Sequence, residues 1–361
     1  MTDPYRPRYH FTPSAHWMND PNGQVYFEGE YHLFYQYKPG EELHWGYAVS
    51  PDLVHWEHLP IALFPNADGD VWSGSTVVDT QGMSGFFGSK PGLVALWKHH
   101  GNLAPPRGPQ AQCLSYSADR GRTWIAYSGN PVVPNPDIKA APRPSILPAA
   151  LTAWRSETRM RPRSCYGQIT AQIIMPLLAG RMPLPREVRL RAAPEGIRLT
   201  QASVRELQTL RGPEQRWENV TVSPKTNLLS DLSGEAWEIR AEIECGSSIE
   251  FGFRVRIGAS QRTTIGYKPR RNTLFVDRTQ SGQTAFHPDF TASLEAPLSA
   301  PEGGVTLHIF VDSCSVEIFA NEGQAALTSL VFPDPHSLGL ELFTRGGDII
   351  VRSLTIYPLQ P

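Results

Sequence analysis

Gln24-Val25-Tyr26-Phe27-Glu28-Gly29-Glu30-Tyr31-His32-Leu33-Phe34-Tyr35 is the stretch that sets the fold class. Two aromatic and β-branched runs flank a Glu-Gly-Glu turn, a pattern that reads as a β-hairpin. Beyond it, Trp45-Gly46-Tyr47-Ala48-Val49 forms a third strand-like run that stops at Ser50-Pro51-Asp52. The same grammar continues outward along the chain. Nine Trp, 12 Tyr and 15 Phe accompany 33 Pro and 30 Gly, which suits many short strands joined by turns. No sustained helical period competes with it, so the expectation is an all-β chain.

A weak internal repeat gives the first half an architecture. Ser50-Pro51-Asp52-Leu53-Val54-His55-Trp56 and Ser117-Ala118-Asp119-Arg120-Gly121-Arg122-Thr123-Trp124 both follow a β-like run. Both carry Ser-x-Asp with a Trp four or five residues later, and the two copies lie 117 − 50 = 67 residues apart. Several strands per repeat unit suggest propeller blades. The second half reads differently. Ala236-Trp237-Glu238-Ile239-Arg240-Ala241-Glu242-Ile243, Thr306-Leu307-His308-Ile309-Phe310-Val311 and Val316-Glu317-Ile318-Phe319 have strand length and are bounded by Gly/Ser/Asp turns. That punctuation predicts a two-sheet sandwich. The expected organisation is a partial β-propeller over residues 1–139, an atypical Arg/Pro-rich junction over 140–183, and a β-sandwich over 184–361.

Composition excludes several classes. At 361 residues and 40% apolar, the chain has the material for about two folded domains. Lys+Arg 33 against Asp+Glu 35 leaves a net charge of −2, so no basic field points to nucleic acid. Residues 140–190 do hold eight Arg, no Lys and two acids, a local 8 − 2 = +6 that reads as a basic linker. Four scattered cysteines without CxxC give neither a disulfide framework nor a zinc pattern. His55-x-x-His58 and His99-His100 lack accompanying acids, and no phosphate loop occurs, so neither metal nor cofactor is expected. The longest apolar run, 169–180, is too short to span a bilayer and contains Pro176, so no membrane is expected. The opening MTDPYRPRYHFTPS has no apolar signal stretch, and a cytoplasmic location is the expectation.

Chemistry concentrates in Trp17-Met18-Asn19-Asp20-Pro21-Asn22-Gly23. Asp-Pro-Asn-Gly alone predicts a turn. A carboxylate beside an amide, Trp and Met is also a sugar-binding mixture of hydrogen bonder and apolar plate. Amide and aromatic groups recur nearby, at Gln36 in Phe34-Tyr35-Gln36-Tyr37, at His44-Trp45-Gly46 and at Trp72-Ser73-Gly74-Ser75.

At these residues the sequence resembles glycoside hydrolase family 32, the β-fructosidases (invertases, levanases, inulinases). HFTPSAHWMNDPNG, YHLFYQY, SPDLVHWEHLPIAL and WSGS carry the likeness in front, and MPLPREVRLR, EFGFRVR, LFVDRTQSG, IFVDSCSVEIF and LTIYPL carry it behind. It covers roughly 8–139 and 180–361, with several independent motifs in order, and lies nearest the levanase and exo-inulinase branch. The resemblance implies a five-bladed propeller bearing the active site, followed by a β-sandwich. It implies that Asp20 is the nucleophile of a retaining hydrolysis of terminal β-D-fructofuranosides in sucrose, levan or inulin. It also implies that Trp17, Met18, Asn19, Gln36, Trp45, Trp72 and Ser73 surround a fructose-containing saccharide. The loop 38–43 is shorter than in typical members, which bears on the leaving-group side.

A retaining mechanism needs a second carboxyl group ~5–5.5 Å from the nucleophile. In the family it sits in a Glu-Cys motif beyond an Arg-Asp-Pro motif. Here Asn135-Pro136-Asp137-Ile138-Lys139 matches the approach, but Ala140-Ala141-Pro142-Arg143-Pro144 follows, and likeness resumes only near Arg181. Glu244-Cys245 has the dipeptide but lies in the sandwich half, where a solvent-facing strand-end Glu suffices. Blades of ~40–50 residues allow two and part of a third in the first 130 or so positions. The expectation is an internal deletion of much of the catalytic propeller, with exposed blade edges inviting self-association. Three readings stay open: a working β-fructosidase, an inactive fructan-binding protein, and a nonfunctional truncated remnant.

Overall fold

The computed structural model describes residues 4–66, 69–101, 110–134, 164–165, 180–193, 196–284, 286, 290, 293–300 and 303–360. The chain divides into two units, Thr12–Pro162 and a second made of Met1–Phe11 with Arg163–Pro361.

The unit Thr12–Pro162 holds two four-stranded antiparallel sheets among its described residues. The first runs β1 (Trp17–Phe27), β2 (Glu30–Lys38), β3 (His44–Ser50) and β4 (Glu57–Leu63). The second runs β5 (Gly69–Asp79), β6 (Gly92–Gly101), β7 (Gln110–Ser117) and β8 (Ile125–Ala126). Each is an up-and-down meander in chain order, which is the build of a propeller blade. The expected hairpin is β1–β2. Phe27 pairs with Glu30 across a two-residue turn, Glu28-Gly29, whose φ angles of 47° and 92° match the twist of the strands.

The Ser-x-Asp repeat marks equivalent places in the two sheets. Ser50 ends β3 and Ser117 ends β7, and each hydroxyl donates to the Asp two residues on, at 3.2 and 2.7 Å. Asp52 then accepts the N–H groups of Val54 and His55, and Asp119 accepts that of Thr123. The following Trp closes the turn with its indole N–H, Trp56 onto Leu53 O and Trp124 onto Gly121 O, each at 3.0 Å. Short side chains are needed to reach back to the backbone, and the Trp covers the result. The sheets bury one continuous core that includes Phe34, Trp45, Tyr47, Val71, Ala95 and Trp97. Phe34 and Tyr47 stack at 4.3 Å between centroids.

In the other unit, β9 (Ser164–Cys165), β10 (Arg186–Ala193) and β11 (Gly196–Ser203) form a three-stranded sheet. The sandwich comprises β12 (Gln215–Val222), β13 (Trp237–Glu244), β14 (Glu250–Ile257), β15 (Arg262–Lys268), β16 (Thr273–Gln280), β17 (Ser293–Pro297), β18 (Gly304–Asp312), β19 (Ser315–Ala320), β20 (Ala325–Leu330), β21 (Gly339–Arg345) and β22 (Ile349–Pro358). One sheet orders β12-β22-β13-β18-β19-β20 and the other β17-β16-β15-β14-β21. β13 shows why they pack. Trp237, Ile239, Ala241 and Ile243 are buried, whereas Arg240 and Glu242 on the alternate face are exposed. Their apolar faces meet Phe251, Phe253, Val255, Ile265 and Val276 of the second sheet in a shared core.

Residues 5–11 are tied to the sandwich. Arg8 N–H donates to Asp312 at 2.9 Å, Tyr9 OH donates to Val311 O at 2.9 Å, and Ser313 Oγ donates to Arg6 O at 2.7 Å. His10 sits fully inside, with Nδ1 2.6 Å from Asp312 and Nε2 2.9 Å from Glu317. Among the described residues, no helix is long and apolar enough to cross a membrane.

Candidate functional site

The heptapeptide 17–23 is not a turn. It is the first part of β1, kept extended by two register irregularities against β2. Met18 pairs with Tyr37 and Pro21 with Tyr35, so three steps on β1 face two on β2 and one residue of the Asn19–Asp20 pair is extra. A second irregularity lies between Asn22 and Val25, where Gly23 has φ of +54°. A bulge re-aims side chains and absorbs Pro21, which cannot donate to the ladder. The turn-forming residues thus serve a distorted strand.

β5 carries a matching device. Trp72 pairs with Lys98 and Gly74 with Trp97, leaving Ser73 as the extra residue. The two bulges bring Asp20 and Ser73 together. Ser73 Oγ donates to Asp20 Oδ2 at 2.5 Å, and Gln36 Nε2 donates to the same oxygen at 3.1 Å and to Ser73 Oγ at 2.8 Å. Asn19 Nδ2 donates to Gln36 Oε1 at 3.2 Å. Gln36 is 5% exposed, so its amide is a buried polar group whose both ends are satisfied by this cluster. The donors meeting Asp20 are a neutral hydroxyl and a neutral amide, and both converge on the one oxygen Oδ2.

The other expected site residues frame the cluster. Trp17 and Trp72 are half-buried, and Met18 is buried. Trp72 stacks on His100 at 4.3 Å and has the Lys98 ammonium 4.5 Å from its ring centre. Trp45 is wholly buried and donates its indole N–H to Trp72 O at 2.9 Å, so it braces the Ser73 bulge from inside the sheet. Asn19, Asp20, Gln36 and Ser73 therefore form one hydrogen-bonded cluster, with Trp72 joined to it through the backbone. Trp17 and Met18 share its strand.

The remaining described carboxylates of this unit have other work. Asp52 and Asp119 hold turns, and Asp79 binds the N–H groups of its own loop at Gln81, Met83 and Ser84. Asp70 accepts Leu43 N–H at 3.1 Å, and Glu28 and Glu30 pair with Arg120 and Arg122. Glu41, Glu42 and Glu57 are exposed. Among the described residues, no second carboxyl shares the hydrogen bonds of the Asp20 cluster. Residues 135–144, where the likeness to the family breaks off, lie outside the described residues, as does most of the Arg/Pro-rich junction. Glu244 ends β13 and pairs with Arg352 at 2.6 Å, the strand-end role expected of it.

No group of three or more His, Cys, Asp or Glu side chains could hold a metal ion among the described residues. His55 bonds Asp52 at 2.7 Å and His99 bonds Asn66 at 3.2 Å. Sequence reading missed two features. One is Asn22, which is 2% exposed and accepts Gly74 N–H across from β5 at 3.3 Å. The other is the buried His10–Asp312–Glu317 group in the second unit, whose members are too far apart in sequence to signal one another.

Comparison with known proteins covers both units. The N-terminal domain of glycosyl hydrolases family 32 matches residues 10–146, and the C-terminal domain of that family matches 206–358. The levanase of Bacillus subtilis (strain 168) is 36% identical over 482 positions, covering 99% of this chain and 70% of the relative. The levanase of Bacillus sp. (strain L7) is 32% identical, covering 99% of this chain and 52% of the relative. An alignment of 482 positions against 361 residues leaves at least 482 − 361 = 121 positions of the first levanase with no counterpart here. Among solved structures, exo-inulinase from Aspergillus awamori superposes with a TM-score of 0.80 at 23% identity, over 99% of this chain and 98% of that one.

Proposed function

This chain belongs to glycosyl hydrolase family 32, and from that footing we propose that it is a glycosidase of β-fructosidase type, acting on terminal β-D-fructofuranosyl units of sucrose, levan or inulin. The observation that carries the reading is the convergence of Ser73 and Gln36 on one oxygen of Asp20. Asp20 Oδ2 is held by two donors, while Oδ1 accepts no hydrogen bond among the described residues and is our choice for the attacking atom. Attack on the anomeric carbon forms a fructosyl ester of Asp20 as the bond to the leaving oxygen breaks. That oxygen must take a proton from a general acid, and water later cleaves the ester with retention. Asn19, Gln36 and Ser73 supply hydroxyl-binding groups, and Trp17 and Trp72 supply apolar surface for a sugar ring. A fructofuranosidase of similar fold from Schwanniomyces occidentalis is solved complexed with fructose, which supports the same ligand class here.

A second reading, sugar binding without turnover, has its own observation. The cluster contains one carboxyl among the described residues, and at least 121 positions of the levanase have no counterpart. We also propose that the chain self-associates through open strand edges, such as the two-residue β8, where Ile125 is 52% exposed. Incubation with sucrose, levan and inulin should release fructose, and Asp20→Asn should abolish release while leaving fructose binding measurable by calorimetry. Saturable fructose binding with no release selects the second reading. Neither release nor binding refutes both.

A further inference from the structure

We infer that Asn22 is a positioning residue for the nucleophile, acting by clamping the bulge that presents Ser73 to Asp20. The inference rests on the sugar-site reading above and adds a buried residue outside the set of groups assigned there to the sugar. Asn22 lies two residues beyond Asp20 on β1, between the two irregularities of that strand. Its side chain is almost completely buried, and its Oδ1 accepts the Gly74 N–H at 3.3 Å. Only an oxygen can accept that N–H, so the amide orientation is fixed by chemistry. Its Nδ2 is buried with no partner among the described residues, so the engagement of the side chain runs through Oδ1 alone.

The bonded amide belongs to the residue after Ser73. An inserted bulge residue disturbs the ladder on either side of it, and the displaced N–H must find another acceptor. Asn22 is that acceptor. On the other flank the bulge is pressed against β6, where a Cβ at Gly74 would lie 2.0 Å from Leu96 O. Held between Asn22 and Leu96, the Trp72-Ser73-Gly74 segment presents the Ser73 hydroxyl 2.5 Å from Asp20 Oδ2. The clamp therefore reaches the carboxylate through Ser73, while among the described residues the Asn22 amide makes no hydrogen bond to it.

Amide hydrogen exchange at Gly74, read with turnover and fructose affinity, tests this on the intact chain. Asn22→Ala should speed Gly74 exchange about tenfold, the worth of one hydrogen bond, with Ala95 exchange unchanged. It should lower kcat about tenfold with KM within about twofold, or weaken fructose binding about tenfold if the chain binds without turnover. Asn22→Asp keeps an oxygen for Gly74 and should restore slow exchange. Asn22→Ala should add little on top of Ser73→Ala, because the clamp acts through that one hydroxyl. If Asn22→Ala does not fold, Asn22→Ser, whose oxygen stops one bond short, provides the same contrast with Asn22→Asp. Unchanged Gly74 exchange overturns the clamp whatever the activity. Faster exchange with unchanged turnover and affinity, or full additivity with Ser73→Ala, overturns positioning. Wild-type protein that neither binds nor cleaves sinks the sugar-site reading, and the inference of positioning with it, even where the exchange result shows the clamp to be real.

Discussion

Replacing His10 with alanine should cost the sandwich-bearing unit about 3–5 kcal/mol near pH 6, the toll of breaking a buried ion pair from one side. Nδ1 lies 2.6 Å from Asp312 and Nε2 2.9 Å from Glu317, with all three side chains at 0–1% exposure. Both ring nitrogens face carboxylates, so only the doubly protonated imidazolium donates to both. Burial alone would push the His10 pKa down, but the hydrogen bonds to Asp312 and Glu317 override it and the pKa rises. Burial would likewise raise Asp312, yet the bond to His10 and the N–H groups of Arg8 and Ser313 bring it from 3.8 to about 2. Glu317 is lowered against its burial by His10 and then by Arg186. Alanine leaves Asp312 with the N–H groups of Arg8 and Ser313, and Glu317 with Leu184 N–H and Arg186, so the loss should fall at the lower end, about 3 kcal/mol.

The pH dependence has a definite sign. Raised in the folded state, His10 contributes fully below 6.5, and the contribution fades as pH climbs through its folded pKa. Asp312, depressed, contributes fully above 3.8 and fades as pH falls through about 2, a shift worth roughly 2 kcal/mol. Urea unfolding of wild type and His10→Ala across pH 2 to 10 should therefore give a stability difference that is widest between about pH 4 and 6.5 and narrows on both sides. A difference under about 1 kcal/mol at pH 6, or one that is flat in pH, refutes the reasoning.

Three other outcomes follow from particular contacts. Gln36→Leu strips partners from Asp20, Ser73 and Asn19 and should cost about 1–3 kcal/mol in a urea melt, together with any fructose binding. Glu238→Gln should lower stability at neutral pH and flatten its acid limb. Burial would raise Glu238, but Arg211 and His308 hold it at about 2 against an ordinary 4.5, so its contribution is present above 4.5 and lost as pH falls toward 2. Leu190→Lys with Ile197→Lys, at side chains 73% and 77% exposed, should leave stability within about 0.5 kcal/mol and reduce any concentration-dependent association seen by light scattering.

Local pattern made much of this molecule legible. The hairpin of β1 and β2, the sandwich strands β13, β18 and β19, and the paired Ser-x-Asp turns are written in contiguous residues, because alternation and turn chemistry act over a few positions. Asp-Pro-Asn-Gly misled, since the same residues that favour turns also tolerate a bulged strand, and only the partner strand decides between them. His10 had no local signature at all. Its partners lie 302 and 307 residues away, and a single histidine carries no trace of two distant carboxylates.

The Asp20 side of the proposed site holds together as a unit for a topological reason. Asn19 and Asp20 on β1, Gln36 on β2 and Ser73 on β5 come from two successive sheets, and the hydrogen bonds that join them to one another span residues 19–73. Packing beneath them draws on the same two sheets, with Phe34, Trp45, Val71, Ala95 and Trp97 in one core and Trp45 bonded to Trp72 O. Among the described residues, the side chains that bond Asp20 are Gln36 and Ser73, both from these two sheets. Protonation of a leaving group is different, because the acid must stand across the sugar from the nucleophile and so must come from another element. On the proposed function, a loss confined to later sheets strikes the proton donor while leaving the Asp20 carboxylate oriented. The proposed function therefore makes turnover and fructose binding independent measurements, one reporting on the far side of the sugar and the other on the cluster around Asp20.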